Sequence, residues 1–126
     1  MTKGLIQMTS SDLIKYVPKG WGYEKWIVNT EEYCGKILHI NKGKKCSWHY
    51  HKLKDETFYL QKGQLLVRYS DDDDIENSKK TILMEGDKFH VYRGLRHQMF
   101  ALEDSDLFEF STQHFDSDSN RIIKGD

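Results

Sequence analysis

Residues 43–63 read GKKCSWHYHKLKDETFYLQKG. His49 and His51 are two apart, and in a β-strand that spacing puts both imidazoles on one face. Glu56 follows a short polar loop and opens a second strand-like run, Thr57-Phe58-Tyr59-Leu60. A third imidazole, His97, stands in residues 86–101, GDKFHVYRGLRHQMFA. Three imidazoles and one carboxylate carried on antiparallel strands make a transition-metal site that leaves coordination positions for a substrate. By softness, three nitrogens and one oxygen suit a divalent transition metal (Zn, Mn, Fe, Co or Ni) and do not choose among them.

The spacing of these residues resembles the paired motifs of the cupin superfamily. The first motif runs G, five residues, H, one, H, three or four, E, six, G; it is matched at Gly43, His49, His51, Glu56 and Gly63. The second runs G, five, P, one, G, two, H, three, N; it is matched at Gly86, Gly94 and His97. Tyr92 stands where proline is usual and Ala101 where asparagine is usual. Both departures lie outside the ligand set. The resemblance implies an all-β fold, the double-stranded β-helix or jelly-roll cupin barrel, with His49, His51, Glu56 and His97 around one ion.

The bulk properties narrow the classes. A chain of 126 residues suits one domain. We read 1–126 as a single cupin domain, with 1–19 as an N-terminal lead-in and 35–113 as the metal-binding core. A formal charge of −1 argues against nonspecific nucleic-acid binding, which needs a basic face. No run approaches the roughly 18 apolar residues of a membrane span, and the N-terminus lacks a signal-peptide pattern. The expected location is the cytoplasm, with Cys34 and Cys46 as reduced structural thiols.

Along the chain, glycine punctuation at Gly43, Gly63, Gly86 and Gly94 separates short strand-like runs. Expected strands cover 5–8, 22–29, 35–41, 46–51, 56–61, 64–69, 81–84, 88–91, 97–102 and 107–113. The runs 56–61 and 64–69 are expected to form a hairpin across Lys62-Gly63. One helical turn is expected at Leu13–Tyr16, capped by Ser10-Ser11-Asp12 and closed by Pro18. The block Asp71–Asp74 lacks the glycine and terminal glutamate of an EF-hand loop, so it reads as a solvated hairpin tip.

Strand parity places Ser47 with the histidines, Phe58 and Leu60 with Glu56, and Met99 with His97. Trp48 and Tyr50 face away, toward an extra strand or a second subunit. His39, His90 and His114 fall outside the ligand motif and read as locally hydrogen-bonded histidines. Trp21, Trp26, Trp48, Tyr50 and Tyr59 exceed what one small barrel readily buries, so a homodimer is expected.

Two further stretches bear on function. KGWGYEK at residues 19–25 is similar to the R-P-W-G-x-Y-E opening of the type II phosphomannose isomerase cupin domain. EFSTQ at 109–113, followed by Asn120-Arg121-Ile122, resembles that family's E-V-Q…D-I-x-R ending. The resemblance implies a cupin acting on a sugar or sugar phosphate, of the mannose-6-phosphate isomerase type. In aldose–ketose isomerisation a carboxylate moves a proton between adjacent carbons, and Glu109 is the candidate, with His39 and His90 as the next choices. Arg121 and Lys45 are candidates for binding a phosphate or sugar hydroxyls. Two other classes stay open at this point: an Fe(II) dioxygenase, and a noncatalytic sugar-binding or sensing cupin.

Overall fold

A computed structural model of the chain describes residues 13–126. The expected strand at 5–8 and the capping residues Ser10, Ser11 and Asp12 lie outside the described residues. Eleven strands follow in order: β1 (Lys15–Lys19), β2 (Gly22–Asn29), β3 (Cys34–Ile40), β4 (Trp48–Tyr50), β5 (Glu56–Lys62), β6 (Leu65–Ser70), β7 (Lys79–Leu83), β8 (Lys88–Val91), β9 (Arg96–Ala101), β10 (Ser105–Ser111) and β11 (Asn120–Ile123). They form two antiparallel sheets, one ordered β1-β2-β3-β10-β5-β8 and the other β11-β4-β9-β6-β7. This is the expected all-β jelly roll. Among the described residues, no helix is long and apolar enough to cross a membrane.

The inward-facing rows explain why this barrel has a core at one end and a cavity at the other. On β3 the inward residues run Ile40, Leu38, Lys36; on β5, Leu60, Phe58, Glu56; on β10, Ser105, Leu107, Glu109; on β9, Ala101, Met99, His97. The register aligns them: Leu107 pairs with Leu38 and Leu60, and Glu109 pairs with Lys36 and Phe58. Each row therefore passes from small or apolar side chains to an ionisable one toward the same end of the barrel. Leu65, Val67, Leu83, Val91 and Leu95 complete the apolar end. Parity held for Phe58, Leu60 and Met99, all buried.

Two expectations fail. The helical turn at Leu13–Tyr16 is not followed; Lys15–Lys19 forms an edge strand paired antiparallel to β2, with Pro18 opposite Tyr23. An edge strand tolerates a proline because one side of its backbone needs no donor, and β-branched Val17 suits an extended backbone. The hairpin across Lys62-Gly63 is not formed either. β5 belongs to the first sheet and β6 to the second, so the chain changes sheets at this turn. Gly63 has φ +102°, and a Cβ there would lie 2.3 Å from Ser105 Oγ and 2.4 Å from Asp104 O.

The acidic block does form a hairpin tip, between the paired strands β6 and β7. Asp74 caps a short 3-10 turn, Ile75–Asn77, by accepting from the Glu76 N–H. Trp48 is fully buried and donates its indole N–H to the Asp73 carbonyl at 2.9 Å. Trp21 is buried too, and Tyr50 lies under the Arg96 guanidinium at 3.8 Å. Much of the expected aromatic surplus is thus absorbed within one chain.

The turn chemistry makes a stability contrast. Gly63→Ala should lower stability by about 1–3 kcal/mol, because strain at positive φ is joined by backbone overlap. Gly43→Ala, at φ +82° with nothing within 4 Å of a new Cβ, should cost only about 1 kcal/mol. Urea unfolding of both variants checks the order; equal losses would show that crowding at the sheet crossover is unimportant.

Candidate metal centre

Each candidate ligand is placed by a different structural constraint. His49 lies in β4, directly opposite His97 of β9. His51 follows β4, where residues 52–55 cross from the second sheet to the first and deliver Glu56 at the start of β5. The buried carboxylate of Asp118 holds this crossing by accepting the backbone N–H groups of Lys52, Leu53 and Lys54 at 2.8–3.2 Å.

The ligating nitrogens of His49, His51 and His97 lie within 4.8 Å of one another. Their tautomers follow from their partners. His49 Nδ1 lies 3.0 Å from the Ser47 carbonyl, His51 Nδ1 3.0 Å from the Asp118 carbonyl, and His97 Nδ1 2.9 Å from the Leu95 carbonyl. A carbonyl oxygen only accepts, so each Nδ1 carries the proton and each Nε2 presents a lone pair. Burial, reinforced by His97, holds His49 well below its ordinary value; burial, reinforced by Lys54, does the same to His51. Both rings are neutral.

Glu56 lies beside this three-histidine cluster and is the candidate for a fourth donor. It is 1% exposed, and its Oε2 lies 3.4 Å from both His51 Nε2 and His97 Nε2. With Nε2 unprotonated these approaches set lone pair against lone pair. Oε2 has no hydrogen-bond partner, the only such buried side-chain atom among the described residues. Orphaned buried acceptors are costly unless something positive satisfies them. The residues fit a divalent ion held by three nitrogens and one oxygen. The two buried, free thiols are not part of the cluster, which His49, His51 and His97 form.

A cavity of about 520 Å³ opens from this cluster. Glu109 lines it, 3% exposed, with Oε2 3.1 Å from Lys54 Nζ and 2.8 Å from Ser111 Oγ. Burial raises its carboxyl, but Lys54 and Lys36 outweigh burial and the net shift is downward. Arg121 lines the cavity from β11, opposite His49 in register. Lys45 is exposed and is not part of the lining. His39 pairs with Asp106 at 2.6 Å and stacks on Tyr23, while His90 pairs with Asp55 at 2.8 Å. Neither reaches the cavity, so neither can stand in for Glu109. His114 does reach it, as the sequence reading did not anticipate.

Lys54 was likewise missed. It is 3% exposed, and its ammonium lies 3.2 Å from Glu56 Oε1, 3.1 Å from Glu109 Oε2 and 3.0 Å from His114 Nδ1. Burial pulls Lys54 down, yet Glu109 and Glu56 together leave it above its ordinary value. Its position in an irregular crossing carries no periodic signal by which the sequence could have marked it.

The family model for the cupin domain matches residues 36–110, more than half of the chain. No curated protein matches the sequence significantly. Among solved structures, the capsular polysaccharide assembling protein CapF from Staphylococcus aureus superposes with a TM-score of 0.75 at 14% identity, over 87% of this chain and 34% of that one. Oxalate decarboxylase from Bacillus subtilis gives 0.77 at 19%, over 88% and 30%. KdgF from Halomonas sp. gives 0.70 at 20%, over 86% and 95%. The chain thus spans about a third of the first two and nearly all of the third. At these identities the likeness establishes the fold alone.

Replacing His49 and His51 together by Ala should abolish binding of a divalent ion, since two of four donors leave. The barrel should still fold on its separate apolar end. Metal analysis beside circular dichroism checks this; full metal occupancy in the folded double variant would refute the ligand assignment.

Proposed function

The chain belongs to the cupin family, and from that premise we propose that it is a metal-dependent cupin acting on a sugar or sugar phosphate, as an aldose–ketose isomerase of the mannose-6-phosphate isomerase type. The observation that carries the reading is the unpartnered Glu56 Oε2 facing two imidazole lone pairs, with the inward carboxylate of Glu109 lining the same cavity. His49, His51, Glu56 and His97 would hold the ion. When bound, it would supply Lewis acidity to a substrate carbonyl.

Glu109 does the proton chemistry. Lys54 and Lys36 keep it a carboxylate despite burial, so it can take the proton from the carbon beside the carbonyl and return it to the former carbonyl carbon, while the hydroxyl proton passes from the second oxygen to the first. The bonds from Lys54 and Ser111 both fall on Oε2, which leaves Oε1 for the substrate. The cavity wall suits a polar, anionic ligand. Lys36 is paired with Glu24 at 3.5 Å, whereas Lys15, Lys19 and Arg121 line the cavity without an ion-pair partner among the described residues. Arg121 offers a fork for a phosphate or for sugar hydroxyls. The role of CapF as a capsular polysaccharide assembling protein is in keeping with sugar handling on this fold.

The test is metal content together with turnover of aldose and ketose phosphates. Glu109→Gln should keep the ion and lose turnover by about 10²–10⁴-fold, the range for a general acid–base group. Turnover unchanged in Glu109→Gln would remove that residue from the chemistry. Bound iron with oxygen uptake and no isomerisation would replace the reading with a dioxygenase.

We also propose that the chain works as a homodimer in the cytoplasm, a reducing compartment that suits its two free thiols. The partner face is the outside of the six-stranded sheet, where Ile27, Tyr33, Ile37, Phe108 and Phe110 line an apolar groove and Phe110 is 58% exposed. A second copy brings the same apolar face by two-fold symmetry. Light scattering should give twice the 14.9 kDa chain mass, and Phe110→Asp should halve it. A monomer at micromolar concentration would exclude the dimer.

A further inference from the structure

We propose that Lys54 is a positioning residue that selects the metal's ligand set: it restricts Glu56 to one donor oxygen and keeps His114 out. The inference rests on the metal reading above and concerns how that site is limited.

An ammonium has three hydrogens to donate and no lone pair. Lys54 has three acceptors within 3.2 Å, each from a different segment: Glu56 Oε1 on β5, Glu109 Oε2 on β10 and His114 Nδ1 beyond β10. Every donor is spent. The Lys54 backbone is pinned as well, because its N–H goes to Asp118 Oδ2 at 3.0 Å. The side chain therefore starts from a fixed crossing and ends in a fully used node.

Two consequences follow for coordination. A carboxylate with both oxygens free can ligate through one or two of them. Here Oε1 of Glu56 is engaged by Lys54 and only Oε2 faces the imidazoles. The second consequence concerns His114, whose ring centroid lies 6.3 Å from that of His51. It lines the same cavity and is the obvious fourth imidazole. Because Lys54 can only donate, His114 Nδ1 must accept; Nε2 then carries the proton and donates to Asp116 Oδ1 at 3.1 Å. This tautomer is the reverse of that in the three ligand histidines. Its one lone pair is already taken.

The direction of the effect separates this role from a structural one. Lys54→Met removes a cation beside the site and frees Glu56 Oε1 and His114 Nδ1. Mn(II) should then bind about tenfold tighter or more, since a like charge is gone and donors are added. The Mn(II) electron paramagnetic resonance spectrum should change, and X-ray absorption of the Zn(II)-loaded variant should show added oxygen or imidazole scattering. Lys54→Met with His114→Ala should lose the imidazole part of that gain. If Lys54→Met does not fold, Lys54→Gln is measured in the same way; its amide has two hydrogens to donate, so at least one of the three acceptors is freed. An unchanged spectrum with equal or weaker Mn(II) affinity in the folded variant would overturn the inference and leave the metal reading intact. If the wild-type protein takes up no Mn(II) and no Zn(II), the metal reading fails and this inference falls with it.

Discussion

Four lone pairs converge at the charged end of this barrel, and nothing among the described residues donates to them. Three are imidazole Nε2 atoms whose opposite nitrogens are committed to backbone carbonyls. The fourth is Glu56 Oε2, buried and unpartnered. An unsatisfied buried acceptor costs roughly 1–3 kcal/mol, and more when charged. A single cation at this point would satisfy all four at once. The carbonyls of Ser47, Leu95 and Asp118 come from three separate segments that lead into β4, β9 and β11, so the tautomers depend on these neighbouring strands of the five-stranded sheet being in place together.

The rest of the barrel can be read as the means of sustaining that constraint. Each inward row begins small or apolar and ends in an ionisable side chain, and the apolar positions Leu38, Leu107 and Leu60 are in register across β3, β10 and β5. Hydrophobic burial is thereby concentrated at one end, where Leu60, Leu65, Val67 and Leu107 are fully buried. The other end is released from packing and filled with paired charge. Breaking one partner of a buried pair leaves an uncompensated charge, so Lys54, Glu56 and Glu109 depend on one another far more than three surface residues would.

What the sequence disclosed follows from range. His49, His51 and Glu56 were legible because strand parity and motif spacing are local. Glu109 was ambiguous because Phe108 and Phe110 flank it. Its outward neighbours are aromatic and its own inward face is acidic, which inverts the usual polarity of a strand. The sheet change at Gly63 was missed because alternation on β5 and β6 looks the same whether they pair or part. The turn Leu13–Tyr16 was misread because a proline can close a helix or sit on an edge strand, and only the pairing with β2 decides. Lys54, His114 and Asp118 meet through contacts 55–67 residues apart in sequence, from segments without periodicity. No local pattern could have joined them.

That long-range node also orders the site in space. The histidine ligands come from β4, its C-terminal extension and β9 in one sheet. Glu109 comes from β10 in the other, and Glu56 sits at the start of β5 beside it. A small molecule held between the sheets would meet the ion from one wall and the acid–base carboxylate from the facing wall. Lys54 sits on the strand crossing that joins the walls and touches carboxylates of β5 and β10. Its ammonium therefore holds Glu109 at a fixed place relative to Glu56. In proton transfer between adjacent carbons that separation matters more than the strength of either group, because misplacement by about 1 Å can cost 10²-fold. A lysine in that position does more than neutralise charge: it ties Glu56 and Glu109, the proposed ligand and the proposed base, to one node.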